Sequence, residues 1–263
     1  MPAIEALDWY DTPLYYDLVF DEDTDLEADF LEAVAERYGR GLAGTKRRIL
    51  EPACGSGRLV EAMLDRGWRV TGTDLSQPML DYTAERLAST GHKAKLLQAN
   101  MAAPQPKGPF DLAHCLVSTF KYLLTAEDAR SHLAGVAEVL APGGLYVLGF
   151  HLSNYERENK ERERWTAERD GIEVVCNIQG WPPDRRKRLE KIRSRLVVTE
   201  DGRTRRTETN WTFRTYSASQ VRDLLAEVPA FEHVATYDFT YDMDAPLELR
   251  DDGFDTVLIL RKL

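Results

Sequence analysis

The chain has 263 residues, 43% apolar and 30% charged, which is enough to bury a core without disulfides or metals. Its three cysteines, Cys54, Cys115 and Cys176, are too few and too scattered for a disulfide scaffold. The net charge of -10 sits in the first 40 residues, which hold 12 acids and 2 bases, so nucleic acid is not an expected partner.

The opening residues, MPAIEALDWYD, have neither a basic head nor an apolar stretch, so no secretory leader is read and a cytoplasmic protein is expected. No apolar run approaches the ~20 residues of a membrane span. Residues 9–20, WYDTPLYYDLVF, are aromatic-rich. Leu26, Phe30, Leu31, Val34 and Tyr38 then fall at helical spacing, with Thr24 or Asp25 as cap and Gly39 and Gly41 as stops. Ile49 and Leu50 begin a short buried strand, glycines turn the chain, and Leu59, Val60, Met63 and Leu64 mark a helix.

The alternation repeats. Residues 68–73, 94–99, 110–117 and 145–150 read as strands. Residues 77–89 read as a helix with Pro78 near its start, and 125–140 as a helix capped by Thr125. Strands alternating with helices at this spacing predict an α/β fold, a doubly wound and mostly parallel sheet.

After His151 the pattern changes. Residues 154–170 are polar and charged, and strands with period-two alternation follow at 172–178, 191–199 and 206–216. Asp201-Gly202 signals a hairpin. Residues 155–216 are therefore expected to form a small antiparallel β insert, a substrate lid, with residues 1–154 and 217–263 as the main domain and 1–44 as its cap helices. The run 185–206 holds 10 bases and 3 acids, which suits a solvated strand edge as well as a polyanion. Ser217 and Gln220 have capping-box spacing ahead of Val221, Leu224, Leu225 and Val228, and YDFTYDM and FDTVLILRKL read as closing strands.

The chemistry concentrates in Glu51-Pro-Ala-Cys-Gly55-Ser-Gly57, a glycine turn at the end of the first parallel strand, where ligands approach the backbone of α/β sheets. It lacks the GK[ST] of a phosphate-binding P-loop, and Val60 stands where a dinucleotide fingerprint has its third glycine. Asp74 ends the second strand, where an acid suits ribose hydroxyls, while Ser76 is the better helix cap.

These motifs resemble the class I S-adenosylmethionine-dependent methyltransferases. EPACGSG, GTDLSQPMLDYTAERL, LQANM, FDLAHCLVSTFKYL and VLAPGGLYVLGF resemble five successive family segments, in order, over residues 45–150. The resemblance implies a seven-stranded Rossmann-like sheet with a reversed last hairpin, S-adenosylmethionine as cofactor, and a set of roles. Backbone at Ala53, Gly55 and Gly57 would border the methionine part, and Glu51 would reach its ammonium. Asp74 would hold the ribose. Leu75, Met79 and Met101 would flank the adenine, and Asn100 would accept from its amine in place of the usual acid. Leu116 would face the sulfonium, and Tyr16 or Tyr15 would cover the cofactor.

Methyl transfer from a sulfonium needs alignment and water exclusion, and a base where the acceptor carries a proton. His151, ending the fifth strand, and Tyr122, after the fourth, are the catalytic candidates, while His151 also reads as a polar residue closing its strand. His114 reads as a core histidine and Cys54 as a packing residue. Trp165, Trp181 and Trp211 would line an acceptor pocket or form the insert's core. The expected activity is transfer to N or O of a small-molecule acceptor by a monomer or homodimer. The alternatives are an RNA or protein methyltransferase using the 185–206 run, a non-catalytic cofactor-binding partner subunit, and a nicotinamide-dependent oxidoreductase, which the missing third glycine disfavours.

Overall fold

A computed structural model describes residues 4–41 and 47–263. In chain order the elements are β1 (Ile4–Ala6), α1 (Pro13–Phe20), α2 (Thr24–Tyr38), β2 (Arg48–Pro52), α3 (Arg58–Asp65), β3 (Arg69–Asp74), α4 (Gln77–Thr90), β4 (Lys95–Gln98), β5 (Phe110–Cys115), α5 (Ala126–Val139) and β6 (Leu140–His151). They continue as β7 (Glu161–Arg169), β8 (Ile172–Gly180), β9 (Leu189–Glu200), β10 (Arg203–Arg214), α6 (Ala218–Ala226), β11 (Phe231–Tyr237) and β12 (Asp255–Lys262). No helix among the described residues is long and apolar enough to cross a membrane.

The main sheet has seven strands in the order β11-β12-β6-β5-β2-β3-β4. β12 runs antiparallel to both neighbours, and the central strands are parallel. Ile49, Leu50, Leu112, Ala113 and Val147 are fully buried because helices cover both faces, so these strands read as continuous apolar runs. Helix starts follow their caps. Ser76 Oγ accepts from Met79 N–H, Thr125 Oγ1 from Asp128 N–H, and Ser217 with Gln220 makes a complete capping box.

The second sheet has the order β1-β10-β9-β8-β7. Asp201-Gly202 forms its hairpin with φ of 50° and 71°, the left-handed pair that a two-residue turn between twisted strands requires. Trp165, Cys176 and Leu196 are cross-strand neighbours on the face that packs against Trp9 and Leu18. The N-terminal segment is therefore held between the insert and the main sheet.

Four sequence expectations change. β7 lies within 154–170, which carried no predicted strand, so the insert has four strands of its own, and β1 adds a fifth in parallel with β10. The strand expected at YDFTYDM is Phe231–Tyr237 instead, because a bulge between His233 and Ala235 breaks its alternation and Tyr241 is buried through a turn. Neither Thr24 nor Asp25 caps α2. Asp23 flanks it with no side-chain cap bond, and Thr24 Oγ1 instead accepts from Arg58 Nη1 at 3.1 Å.

Candidate active site

β2 delivers the chain to a loop in which Ala53, Gly55 and Gly57 all have positive φ, at 56°, 54° and 74°. Left-handed residues at alternate positions hold the loop folded at the carboxyl edge of the sheet. Gly57 also meets a steric limit, since a Cβ there would lie 2.3 Å from Thr83 Cγ2 on α4. Asp74, from the neighbouring β3, clamps the loop. Its Oδ2 accepts from Gly55 N–H and its Oδ1 from Ser76 N–H, both at 2.8 Å. Burial raises the Asp74 pKa, and these backbone donors oppose the rise.

A cleft of about 540 Å³ opens beside this clamp. Of the predicted cofactor residues, Tyr16, Ala53, Gly55, Asp74, Leu75, Asn100 and Met101 line it. Tyr15 does not share the position of Tyr16; its hydroxyl reaches Glu200 on the insert at 3.5 Å. Asn100 Oδ1 accepts from Ala102 N–H at 2.9 Å and so shapes its own turn. His132 braces the same loop, its Nδ1 donating to the Met101 carbonyl at 2.8 Å and its Nε2 accepting from Tyr146 OH at 2.6 Å.

Glu51, Gly57, Met79 and Leu116 are set back from the cleft surface. Met79, in the first turn of α4, is fully buried, and Leu116 packs in the core where a Cβ on Gly149 would lie 3.0 Å from its Cδ2. Glu51 is buried just behind the loop. Burial pushes its carboxyl well above the ordinary value, with Arg58 opposing and Glu27 and Asp74 adding to the rise. Among the described residues its Oε2 has no hydrogen-bond partner, and His114 Nε2 lies 3.7 Å from it. Burial, aided by Arg58, holds His114 down to about 3, so that ring is neutral. A buried carboxyl oxygen behind the glycine loop fits the ammonium of an amino-acid moiety, whose charge would favour the ionised acid, and Asp74 beside the cleft fits a diol. The residues present thus suit S-adenosylmethionine.

A second, smaller chamber of about 140 Å³ lies between the insert and the ends of β5 and β6. Trp9, Phe20, Trp165, Trp211 and Phe213 wall it. Trp181 is not in that wall; its ring carries Lys160 at 5.2 Å and Arg193 at 5.4 Å. Tyr10, Tyr16, Thr119 and Tyr122 line both cleft and chamber, so they form the partition between them. Tyr10 OH donates to Tyr122 OH at 2.6 Å within that partition.

His151 lines the chamber. Its Nδ1 lies 2.8 Å from Asp255 Oδ1, and its ring stacks on Phe254 at 4.6 Å. The carboxylate accepts, so Nδ1 carries a proton, and in the neutral ring Nε2 has the lone pair. Sequence reasoning missed Asp255, Phe254, Tyr10 and Lys121 as site residues. Only the aromatic density of residues 9–20 could have pointed to Tyr10, and nothing local marks the others.

Residues 49–144 match the family described as "Methyltransferase domain". A protein of Geobacillus sp. (strain WCH70) assigned by name to the methyltransferases is 26% identical over 247 residues, 94% of this chain and 95% of that one. Ubiquinone biosynthesis O-methyltransferases align over about half of their own length. Two solved structures share the fold. An S-adenosylmethionine-dependent methyltransferase from Clostridium acetobutylicum ATCC 824 superposes with a TM-score of 0.76 at 18% identity, covering 95% of this chain and 97% of that one. The sugar N-methyltransferase KedS8 from Streptoalloteichus sp ATCC 53650 gives 0.72 at 17% identity, covering 100% and 95%. With its strand order, its glycine loop and its clamped Asp74, the chain has the fold of the S-adenosylmethionine-dependent methyltransferases and carries a methyltransferase domain over residues 49–144.

Proposed function

We propose that the chain methylates a nitrogen or oxygen of a small-molecule acceptor seated in the aromatic chamber, with His151 as general base and Asp255 as its positioning residue. The observation that carries this reading is the His151–Asp255 pair at the chamber wall, separated from the cofactor cleft only by the tyrosine partition.

Bound S-adenosylmethionine supplies a methyl group already activated on a cationic sulfur. The chain's task is then alignment and water exclusion. Asp74 and the glycine loop hold one reactant, and the aromatic walls hold the other. The insert, taken here as residues 155–216, acts as the lid over the chamber. His151 Nε2 would take the proton that the acceptor N–H or O–H loses when the methyl group passes to it from sulfur and S-adenosylhomocysteine leaves, and Asp255 would stabilise the resulting imidazolium.

A small acceptor suits a 140 Å³ chamber better than a nucleic acid or protein does. Several cations of the 185–206 run are already paired. Arg195 meets Glu208 at 2.6 Å and Arg205 meets Glu5 at 2.7 Å. The names of the relatives supply both atom types: a sugar N-methyltransferase and O-methyltransferases. The test is label transfer from methyl-labelled S-adenosylmethionine to pools of amines and hydroxylated metabolites, with tRNA and peptide pools alongside. Label in the small-molecule pool is expected. Label confined to tRNA or peptide overturns the reading.

A further inference from the structure

We propose that the chamber contains an anion subsite, in which Lys121 and Arg157 read a carboxylate or phosphate on the acceptor. This rests on the reading of the chamber as the acceptor site.

The 3-10 turn Thr119–Tyr122 follows β5 and serves two purposes. It places Tyr122 in the partition and the next residue back, Lys121, in the chamber wall. Lys121 is only 3% exposed, which is rare for a lysine and costly unless the ammonium is well paired. Its Nζ donates to Glu190 Oε1 at 2.7 Å and sits 5.3 Å from the Phe213 ring centroid. That is one charged partner for three N–H groups.

Arg157 approaches the same carboxylate from the other side. Its Nη2 lies 3.4 Å from Glu190 Oε2 and 2.7 Å from the Trp181 carbonyl. Its Nη1 pairs with Glu161, whose side chain is about half exposed. Its Nε is buried with no hydrogen-bond partner among the described residues. Two cations therefore share the buried carboxylate of Glu190, while Glu161, Arg162 and Glu163 form the exposed rim of the same chamber. Both oxygens of Glu190 are taken by cations, so it has little left to offer a ligand's amine. Donors are in excess, and one anionic group on the acceptor completes the set. Burial, aided by the nearby Arg157, lowers the Lys121 pKa, and Glu190 opposes this.

The chamber volume restricts what carries the anion. At about 140 Å³ it is close to the ~150 Å³ of cavities that take one benzene ring. Its walls are indole, phenol and phenyl faces, which suit a single ring. The acceptor class that fits is a compact ring bearing an acidic group, with its amine or hydroxyl turned to His151.

The test is calorimetric titration of benzoate, phenyl phosphate and neutral benzamide into protein saturated with S-adenosylhomocysteine, at one ionic strength. Wild type is expected to bind benzoate or phenyl phosphate about tenfold or more tighter than benzamide. Whichever anion binds tighter identifies the chemistry of the acidic group. Lys121→Met and Arg157→Gln are each expected to pull that ratio toward one, and Lys121→Arg to preserve it. Should Lys121→Met fail to fold, Arg157→Gln carries the test. Equal binding by wild type, or an unchanged ratio in Arg157→Gln, overturns the subsite. Label transfer to the metabolite pool runs in parallel. Transfer without anion preference removes the subsite alone, whereas anion preference without transfer to any acceptor removes the transfer reading.

Discussion

His151 and Asp255 are register partners across β6 and β12, and the same two residues share a 2.8 Å hydrogen bond between their side chains. The reversed direction of β12 makes this possible. An antiparallel strand starts where its neighbour ends, so the first residue of β12 meets the last of β6 at the edge of the sheet where ligands bind. Phe254 stacks on the imidazole and Phe239 meets it edge-on at 5.0 Å, which fixes its plane. His151→Gln is expected to slow methyl transfer by roughly 10²–10⁴, the usual share of a general base. Asp255→Ala should lose part of that factor. S-adenosylhomocysteine affinity should change little in either variant, since neither residue lines the cofactor cleft. Full-rate transfer by His151→Gln would remove it from the chemistry.

Gly57 tests the glycine loop. Alanine there would carry its Cβ at φ 74° and within 2.3 to 2.9 Å of three Thr83 side-chain atoms. The left-handed backbone costs about 1–2 kcal/mol and overpacking about 1–3 kcal/mol more. Gly57→Ala should therefore lower the urea midpoint by a clear margin. Combining it with Thr83→Gly should recover part of the packing loss but none of the backbone loss. Strict additivity in that double-mutant cycle would show that the clash does not operate.

The main sheet was legible because its signals are local. Ser76, Thr125 and Ser217 mark helix starts, and buried strands read as apolar runs. β7 was not legible, because ERERWTAER is exposed along much of its length and carries charges instead of an apolar face. The hairpin at Asp170-Gly171, with φ of 54° and 78°, was the available signal, the same dipeptide that revealed Asp201-Gly202. β1 pairs with β10 about two hundred residues away, and no local pattern encodes that. The site divides the same way. Asp74 ends a parallel strand and was marked by its position there, whereas Asn100 and Met101 were placed only through the resemblance of LQANM to a family segment. Asp255, Tyr10 and Lys121 reach the chamber only through sheet reversal, the N-terminal wrap and a short turn.

His132 should give stability a pH signature. Burial lowers it from its ordinary 6.5 to about 4, with its bond to the Met101 carbonyl opposing. A depressed folded-state value means that the unfolded chain takes the proton first. The stability contribution is present above about pH 6.5 and is lost as pH falls toward 4, at up to ~1.4 kcal/mol per pH unit. His114, also lowered, acts in the same direction. Glu51 and Asp74, both raised, act in the opposite one. Comparing wild type with His132→Gln cancels those other groups. Between pH 6.5 and pH 5 the wild type should lose about 1.5 kcal/mol more than the variant. Parallel urea-derived stability curves for the two proteins would show that His132 already titrates normally in the fold.

Asp17 is the buried joint of the N-terminal wrap. It sits in α1 one residue from Tyr16, is fully buried, and receives donors from three separate bodies. Ser56 Oγ of the glycine loop donates at 2.8 Å. Arg86 of α4 is bidentate, with both bonds at 2.9 Å. Arg169, at the end of β7, donates from the insert at 2.8 Å. One carboxylate thus ties the glycine loop, the main domain and the antiparallel insert to the helix that carries Tyr16 of the partition. Asp17→Asn keeps the shape but removes the charge, leaving guanidinium groups facing a neutral amide. Breaking a buried pair from one side costs about 3–5 kcal/mol, and the lower end applies here because Arg169 is a third exposed. S-adenosylhomocysteine affinity should fall as well, since a loosened α1 no longer holds Tyr16 over Gly55. Arg169→Gln separates the two effects, because it frees the insert while the Arg86 fork stays whole. It should cost about 1 kcal/mol or less and weaken transfer more than cofactor binding. An Asp17→Asn protein with wild-type stability and wild-type affinity would show that the joint holds nothing in place.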